Sequence, residues 1–367
     1  MKQPRTLQDL TTPAAIVDID RMTDNLDRMA AYVAEHGIAH RPHIKTHKTP
    51  ELAREQLRRG CPGLTVATLR EAEVMAGVAD DLLLAYPPVG PAKLGRLLDL
   101  PESVRTTVAL DSNDVLAPLS AAAAAAGRTV GVLVELDLGM RRVGIADTAA
   151  AVELAERAGD APGIEFRGVL FYPGHIRQPV TEQDEALARL SDDLRARLDA
   201  LRAHGIGANT VSGGSTPTAF GSHRVNGLTE IRPGTYIFND RSTAAIGACQ
   251  WTDCAYSILA TVVSTAVPGQ AVVDAGSKAI NREYLRGSDG DGFGALVDHP
   301  DVVVRAMSEE HGILELGRST WRPRVGDRVQ IVPNHVCISV NLHTGLWGVR
   351  DARIEAYWKV VARGWSE

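Results

Sequence analysis

The feature that most narrows the folds open to this chain is an alternation, kept up over its first two thirds, of short apolar runs with amphipathic helical patterns. Extended runs are expected at 39–43, 63–67, 81–86, 106–110, 130–136, 166–171, 210–212 and 230–233. Helical patterns separate most of them, at 50–59, 69–76, 92–100, 114–126, 148–158 and the long 181–204. Strands separated by helices pair in parallel, because only a crossover helix returns the chain to the same edge of a sheet. Repeats of roughly twenty to forty residues suit a (β/α)8 barrel better than an open sheet. One further run, 14–20, precedes a helix at 22–36 closed by Gly37 and makes one strand too many. It is assigned to a second sheet.

From about Gly247 the texture changes to Val-rich and Thr-rich runs with almost no amphipathic helix: 258–267, 271–274, 302–306, 327–332 and 352–363. Such spacing with Pro-Gly and Gly-Asp punctuation predicts an antiparallel β-domain. The expected organisation is therefore a barrel over 21–246 and a β-domain built from 1–20 and 247–367. A chain of 367 residues has the length for both. Its net charge of -6, without long single-sign runs, argues against a nucleic-acid surface. With no apolar leader, no stretch of about twenty apolar residues, and Cys61, Cys249, Cys254 and Cys337 scattered, a cytoplasmic protein with reduced thiols is expected.

In parallel α/β folds the reactive groups gather where strands end and loops begin. Lys45 stands at such an end, within Arg41-Pro42-His43-Ile44-Lys45-Thr46-His47-Lys48. Positive neighbours disfavour an ammonium and free an amine to condense with a carbonyl; a solvated basic loop or an anion patch is the alternative. Arg142, after the 130–136 run, and Tyr172 and His175, after the 166–171 run, fall on the same rim. Gly213-Gly214-Ser215-Thr216 follows another strand, and glycines beside hydroxyls can present donors to a phosphate, although an ordinary turn has the same composition. Gly234-Thr235-Tyr236 follows the last barrel strand, where barrels often hold phosphate. Two such loops and a rim lysine fit one cofactor, pyridoxal 5'-phosphate (PLP).

Near the C-terminus stands Pro333-Asn334-His335-Val336-Cys337-Ile338-Ser339. On a strand, His335 and Cys337 would face one side and reach one ion. Imidazole with thiolate suits zinc; chance proximity in sequence is the alternative.

Thr12-Pro13-Ala14, the Lys45 stretch, Gly213-Gly214-Ser215-Thr216, Arg232-Pro233-Gly234-Thr235-Tyr236 and Pro333-Asn334-His335-Val336-Cys337 occur in the order seen in a known family. The chain resembles the D-threonine aldolase and D-serine dehydratase family, PLP enzymes of the alanine-racemase-like fold type. The resemblance implies a PLP-bearing (β/α)8 barrel, a C-terminal antiparallel β-domain, and a homodimer whose site the partner completes. It also implies Lys45 as the Schiff-base lysine, Arg142 facing the pyridine nitrogen, the Gly214 and Gly234 regions clamping phosphate, and a divalent metal, Zn2+ or Mn2+, at His335 and Cys337. Cys337 resembles the zinc-dependent dehydratases, where the aldolases carry aspartate with a manganese-type ion. The segments 341–346 and 362–366 resemble the bacterial aldolases.

The implied reaction is a metal-assisted lyase reaction on D-3-hydroxy-α-amino acids, first retro-aldol cleavage of D-threonine-type substrates, with D-serine or D-threo-3-hydroxyaspartate dehydration as the rival. A racemase or a non-catalytic PLP carrier are further alternatives. His175 is the expected base at the β-hydroxyl, and Tyr172 the expected neighbour of the cofactor. His311 is expected to approach from the β-domain or a partner, and His43 and His47 to support the lysine by hydrogen bonds. Asp274, Gly276 and Lys278 read as a turn.

Overall fold

The computed structural model describes residues 4–285, 291–317 and 319–364. The chain divides into two compact units. One holds Met29–Lys45 and Pro50–Gly234; the other holds the chain up to Arg28, Thr46–Thr49 and Thr235–Gly364. In chain order the strands are β1 (Ala14–Asp18), β2 (Ala39–His40), β3 (Leu64–Val66), β4 (Asp81–Leu84), β5 (Arg105–Leu110), β6 (Val130–Leu136), β7 (Ile164–Phe171), β8 (Thr210–Gly213) and β9 (Glu230–Ile231), followed by β10 (Tyr256–Ser264), β11 (Gln270–Val273), β12 (Gly294–Leu296), β13 (Val303–Met307), β14 (Gly312–Glu315), β15 (Arg328–Pro333), β16 (Gly345–Arg350) and β17 (Arg353–Lys359).

In the first unit eight parallel strands run in the order β2-β9-β8-β7-β6-β5-β4-β3. His43 pairs in parallel with Thr65, and the Thr65 amide donates to Pro42 O at 2.9 Å, which joins the two ends of that order. Each expected run of the 39–233 region coincides with one of these strands, and β1 pairs in the other sheet. The apolar layer lies between the strands and their crossover helices, where Val108, Leu110, Val132, Val134 and Val169 meet Leu116, Leu119 and Leu194. Each such buried side chain contributes about 1.5–3 kcal/mol. The inward faces of β4 to β7 contribute only a small cluster, Leu83, Ala109, Leu133 and Leu170.

Polar groups occupy other inward positions. Arg41 Nε donates to Glu230 at 2.8 Å and its Nη1 to Asp81 at 2.7 Å; Arg105 donates to the second Asp81 oxygen at 2.6 Å. Ser212 Oγ donates to Glu230 at 2.6 Å and accepts from Arg232 Nη1 at 2.6 Å. The side chains of Asp81 and Glu230 are 6% and 5% exposed, so water screens their charges little. The chain of alternating charge is held by its partners rather than by solvent.

The second unit carries a nine-stranded sheet in the order β11-β14-β13-β12-β15-β10-β1-β16-β17, with β10 also paired to β11. That extra pairing closes six of its strands into a ring, from β10 through β11, β14, β13, β12 and β15. All pairs are antiparallel except β1 with β16. Strands β12, β14 and β16 were not expected from sequence, and the 352–363 run shortens to β17 behind a turn in which Asp351 and Ala352 adopt positive φ.

The segment expected to be a strand bearing His335 and Cys337 is a helix, Val336–Leu342. Its Val and Ile content reads as β, but the buried positions Val336, Ser339 and Val340 follow helical spacing. The cap comes from far away: Asp240 Oδ2 accepts from the Val336 amide at 3.1 Å. A buried carboxylate at the first turn satisfies an orphan donor and complements the helix dipole.

Replacing Glu230 by Gln leaves Arg41 and Ser212 without their carboxylate. We expect a stability loss of about 3–5 kcal/mol, the cost of breaking a buried pair, in urea unfolding. Glu185→Gln, on the exposed Arg189 pair, should cost under about 1 kcal/mol.

Candidate active site

In the barrel unit, Lys45 lies beyond the end of β2 in a single turn, Ile44–Thr46, anchored by the wholly buried Ile44. Its neighbour His47 is buried and turned to the backbone, with Nδ1 accepting from the Thr49 amide at 3.1 Å. His47 therefore shapes the loop that carries the lysine. The chain passes from one compact unit to the other between Lys45 and Thr46, and again between Gly234 and Thr235.

The loops after β6 and β7 meet at the same end of the barrel. Asp137 accepts from the Gly139 and Arg141 amides at 3.0 and 2.9 Å, folding the first loop back on itself. Gly139, at φ +114, lets the His175 ring lie against it; a Cβ there would stand 2.9 Å from His175 Nε2. Arg142 is exposed, with its guanidinium 5.0 Å from the centre of the Tyr172 ring. Burial lowers the His175 pKa, Asp137 opposes that shift and Arg177 adds to it.

The buried cation of this end is Arg232, which the sequence reading had quoted without giving it a role. Its Nη1 meets Ser212 and its Nη2 donates to Phe171 O at 2.8 Å. Burial pushes its pKa down to about 10 against the pull of Glu230 and Glu135. Burial likewise raises the Glu135 carboxyl, with Arg232 and Arg142 acting in the other sense.

After β8 the chain forms a close-packed cradle. A Cβ on Gly213 would stand 2.2 Å from the Phe171 ring, and Gly214 sits at φ +79, a region that side chains rarely adopt. Buried Ser215 and Thr216 follow, and the Ser215 hydroxyl lies 3.0 Å from that of Thr218. Glycine backbone and buried hydroxyls together are the donor chemistry of a phosphate site, so this loop fits the phosphate of PLP. Gly234 is buried, and Thr235 opens the turn Thr235–Ile237 that buries Tyr236.

The second unit brings His335 and Cys337 together, although not as strand neighbours. His335 is the N-cap of the Val336–Leu342 helix, and its ring reaches Cys337 by a side-chain hydrogen bond. Burial lowers the His335 pKa, but Cys337 and Asp240 more than reverse this and raise it well above the usual value. His335 Nδ1 lies 3.2 Å from Asp240 Oδ2. Cys337 Sγ lies 3.1 Å from Thr46 Oγ1 and 3.6 Å from Thr235 Oγ1.

Imidazole and thiol with a carboxylate on the far ring nitrogen form the donor set of a transition-metal ligand pair. Among the described residues no third His, Cys, Asp or Glu completes a ligand group, so the pair fits an ion that keeps positions for water and substrate. Asp240 was missed from sequence; its one local signal is a cap pattern, since it accepts from the Thr243 amide at 2.9 Å.

His311 is exposed beside the β13–β14 hairpin, Lys278 pairs with Glu310 at 2.7 Å, and Asp274 accepts from the Thr261 amide at 2.7 Å. All four cysteines are unbridged. No helix among the described residues is long and apolar enough to cross a membrane.

Comparison with known proteins places this geometry among relatives. A family model described as alanine racemase, N-terminal domain, matches residues 17–242, and a serine dehydratase domain model matches 255–349. The chain is 34% identical to a D-threonine aldolase of Arthrobacter sp over 98% of its length and 94% of that protein. The crystal structure of D-threonine aldolase from Filomicrobium marinum superposes with a TM-score of 0.90 at 33% identity, covering 99% of this chain and 98% of that one. D-threo-3-hydroxyaspartate dehydratase from Delftia sp. HT23 gives 0.91 at 32% identity over 99% and 100% of the two chains. Histidine-to-alanine and cysteine-to-alanine variants of a D-threo-3-hydroxyaspartate dehydratase, at positions two apart, are also similar, the cysteine variant in a metal-free form.

Asp240→Ala removes a helix cap and the partner of His335. We expect a stability loss of at least about 1 kcal/mol, with a lowered thermal midpoint, and His335 titrating nearer the ordinary imidazole value in NMR.

Proposed function

Because this chain belongs to the D-threonine aldolase and D-serine dehydratase family, which is built on the alanine racemase N-terminal domain, we propose that it is a PLP-dependent, metal-assisted lyase of D-3-hydroxy-α-amino acids. Its reaction in this reading is retro-aldol cleavage of D-threonine-type substrates to glycine and an aldehyde. One observation carries the proposal. The Cys337 sulfur is bonded to the hydroxyls of Thr46 and Thr235, the residues that follow Lys45 and Gly234. Thr46 and Thr235 are thus the sequence neighbours of the lysine and of a candidate phosphate loop. The full-length likeness to D-threonine aldolases is in keeping with cleavage, and a dehydratase is equally similar.

Lys45 would hold the cofactor through its amine; Gly213, Gly214, Ser215, Thr216, Gly234, Thr235 and Tyr236 would hold its phosphate. Arg142 would face the ring nitrogen, with a guanidinium that keeps its proton. Tyr172 would flank the cofactor, with Arg142 resting on its ring. His335 and Cys337 would hold the divalent ion. The chemistry that the cofactor supplies when bound is a carbonyl for the substrate amine and a ring that draws off the electron pair released at Cα. The ion supplies Lewis acidity toward the β-hydroxyl.

His175 is the base that takes the β-hydroxyl proton. Its lowered pKa keeps Nε2 or Nδ1 free of a proton at neutral pH. The protein is proposed to work as a homodimer in the cytoplasm, in keeping with its unbridged thiols.

A second reading, dehydration, is favoured by Cys337 itself, because the zinc-dependent dehydratases carry cysteine at the corresponding position of the motif. The His-x-Cys spacing also equals that of the dehydratase variants. Lys45 would then take the Cα proton in place of His175. Feeding the protein D-threonine and D-serine with Zn2+ or Mn2+ separates the two: glycine with an aldehyde supports cleavage, and a 2-oxo acid supports dehydration. Turnover to the enantiomer that survives EDTA would instead mark a racemase.

Lys45→Ala should lose the visible absorbance of lysine-bound PLP, and retained colour in that variant would sink the assignment. Cys337→Ala should keep the colour and lose activity. For His175 the direction of the shift fixes the pH profile: its pKa lies below the ordinary value of ~6.5, so kcat/KM should fall only as pH drops beneath that value. His175→Asn should lower kcat by about a hundredfold or more and flatten this acid limb; an unchanged limb would remove His175 from the mechanism.

A further inference from the structure

We infer that Thr46 and Thr235 are positioning residues for the metal ligand, two hydroxyls that clamp the Cys337 sulfur in the orientation it needs to bind a divalent ion. The inference deepens the metal reading above and rests on it. Thr46 Oγ1 is 3.1 Å and Thr235 Oγ1 3.6 Å from the sulfur. Thr46 is fully buried, so no water competes for its hydroxyl. Both threonines belong to short turns, Ile44–Thr46 and Thr235–Ile237, whose backbones fix where each hydroxyl begins.

With a neutral thiol either partner can donate. A thiolate bound to an ion has no proton, and then both hydroxyls must donate to it. Each holds part of the sulfur's electron density in a set direction, and the rest is left facing His335. The imidazole is oriented in the same manner by Asp240 Oδ2, 3.2 Å from Nδ1. The pair of ligands therefore has three supporting side chains, one carboxylate for the ring and two hydroxyls for the sulfur. Partners of this kind typically change metal affinity by about 10–100-fold.

The threonines come from opposite parts of the sequence and flank the two candidate cofactor segments, so the clamp exists only when both segments are in place. A hydroxyl pair serving only to fill space would be replaceable by valine at no cost in affinity.

The test uses the holoenzyme and Cd2+, whose bond to a thiolate gives an ultraviolet charge-transfer band, titrated against a competing chelator. Wild type should show the band. Thr46→Val and Thr235→Val should each weaken Cd2+ binding about tenfold and together about a hundredfold, with the far-ultraviolet circular dichroism and thermal midpoint of each variant as the check on folding. Thr46→Ser should restore nearly all of the affinity. A double valine variant that binds Cd2+ like wild type, or a Thr46→Ser variant as weak as Thr46→Val, overturns the inference while the metal reading stands. A wild-type protein without the band overturns both.

Discussion

Parallel strands cannot be joined by a tight turn, and that single geometric constraint organises the barrel. Each strand must be followed by a helix that carries the chain back, so the carboxyl ends of all eight strands face one rim. Lys45, Arg142, Tyr172 with His175, and the Gly213–Gly214 loop sit on that rim because they stand at the ends of β2, β6, β7 and β8. No residue among them needs its neighbours in sequence to be chemically unusual. The crossover topology alone gathers them.

Gathering is not orientation, and here buried charges decide. Inside the barrel, Glu230 bonds Arg41 and Ser212, and Ser212 in turn holds Arg232. The carboxylate can only accept, so Ser212 must donate to it and has a lone pair left for the guanidinium. In the other unit Asp240 performs the parallel task. It caps its own short helix through Thr243, caps the Val336–Leu342 helix through Val336, and steadies the His335 ring. Two buried carboxylates thus fix the groups around them. Their cost in desolvation is offset by several hydrogen bonds apiece.

The candidate site was legible from sequence wherever a residue's role depends on its own strand end. The expected runs at 130–136 and 166–171 became β6 and β7 nearly residue for residue, because apolar periodicity is a local property. Reading His335 and Cys337 as strand neighbours failed for the complementary reason. Val336-Cys337-Ile338-Ser339-Val340 has the composition of a strand, and only Asp240, supplied by a distant segment, turns it into a capped helix. The imidazole and the sulfur still meet, by the geometry of a helix start instead of a pleat. Arg142 and Arg232 are both arginines just beyond barrel strands, and only the fold shows that the second is buried and the first exposed.

By itself the sequence determined the alternation that forces a parallel barrel, the change of texture that marks a second sheet, and the strand ends on which reactive side chains could stand. These follow from periodicities of two and 3.6 residues, which neighbouring positions carry among themselves. The tertiary structure decided which arginine is buried, which helix receives a cap from Asp240, and which hydroxyls reach the Cys337 sulfur. Each of those depends on groups distant along the chain and adjacent in space. Their energy lies in desolvated charge and directed hydrogen bonds, neither of which leaves a periodic trace in the sequence.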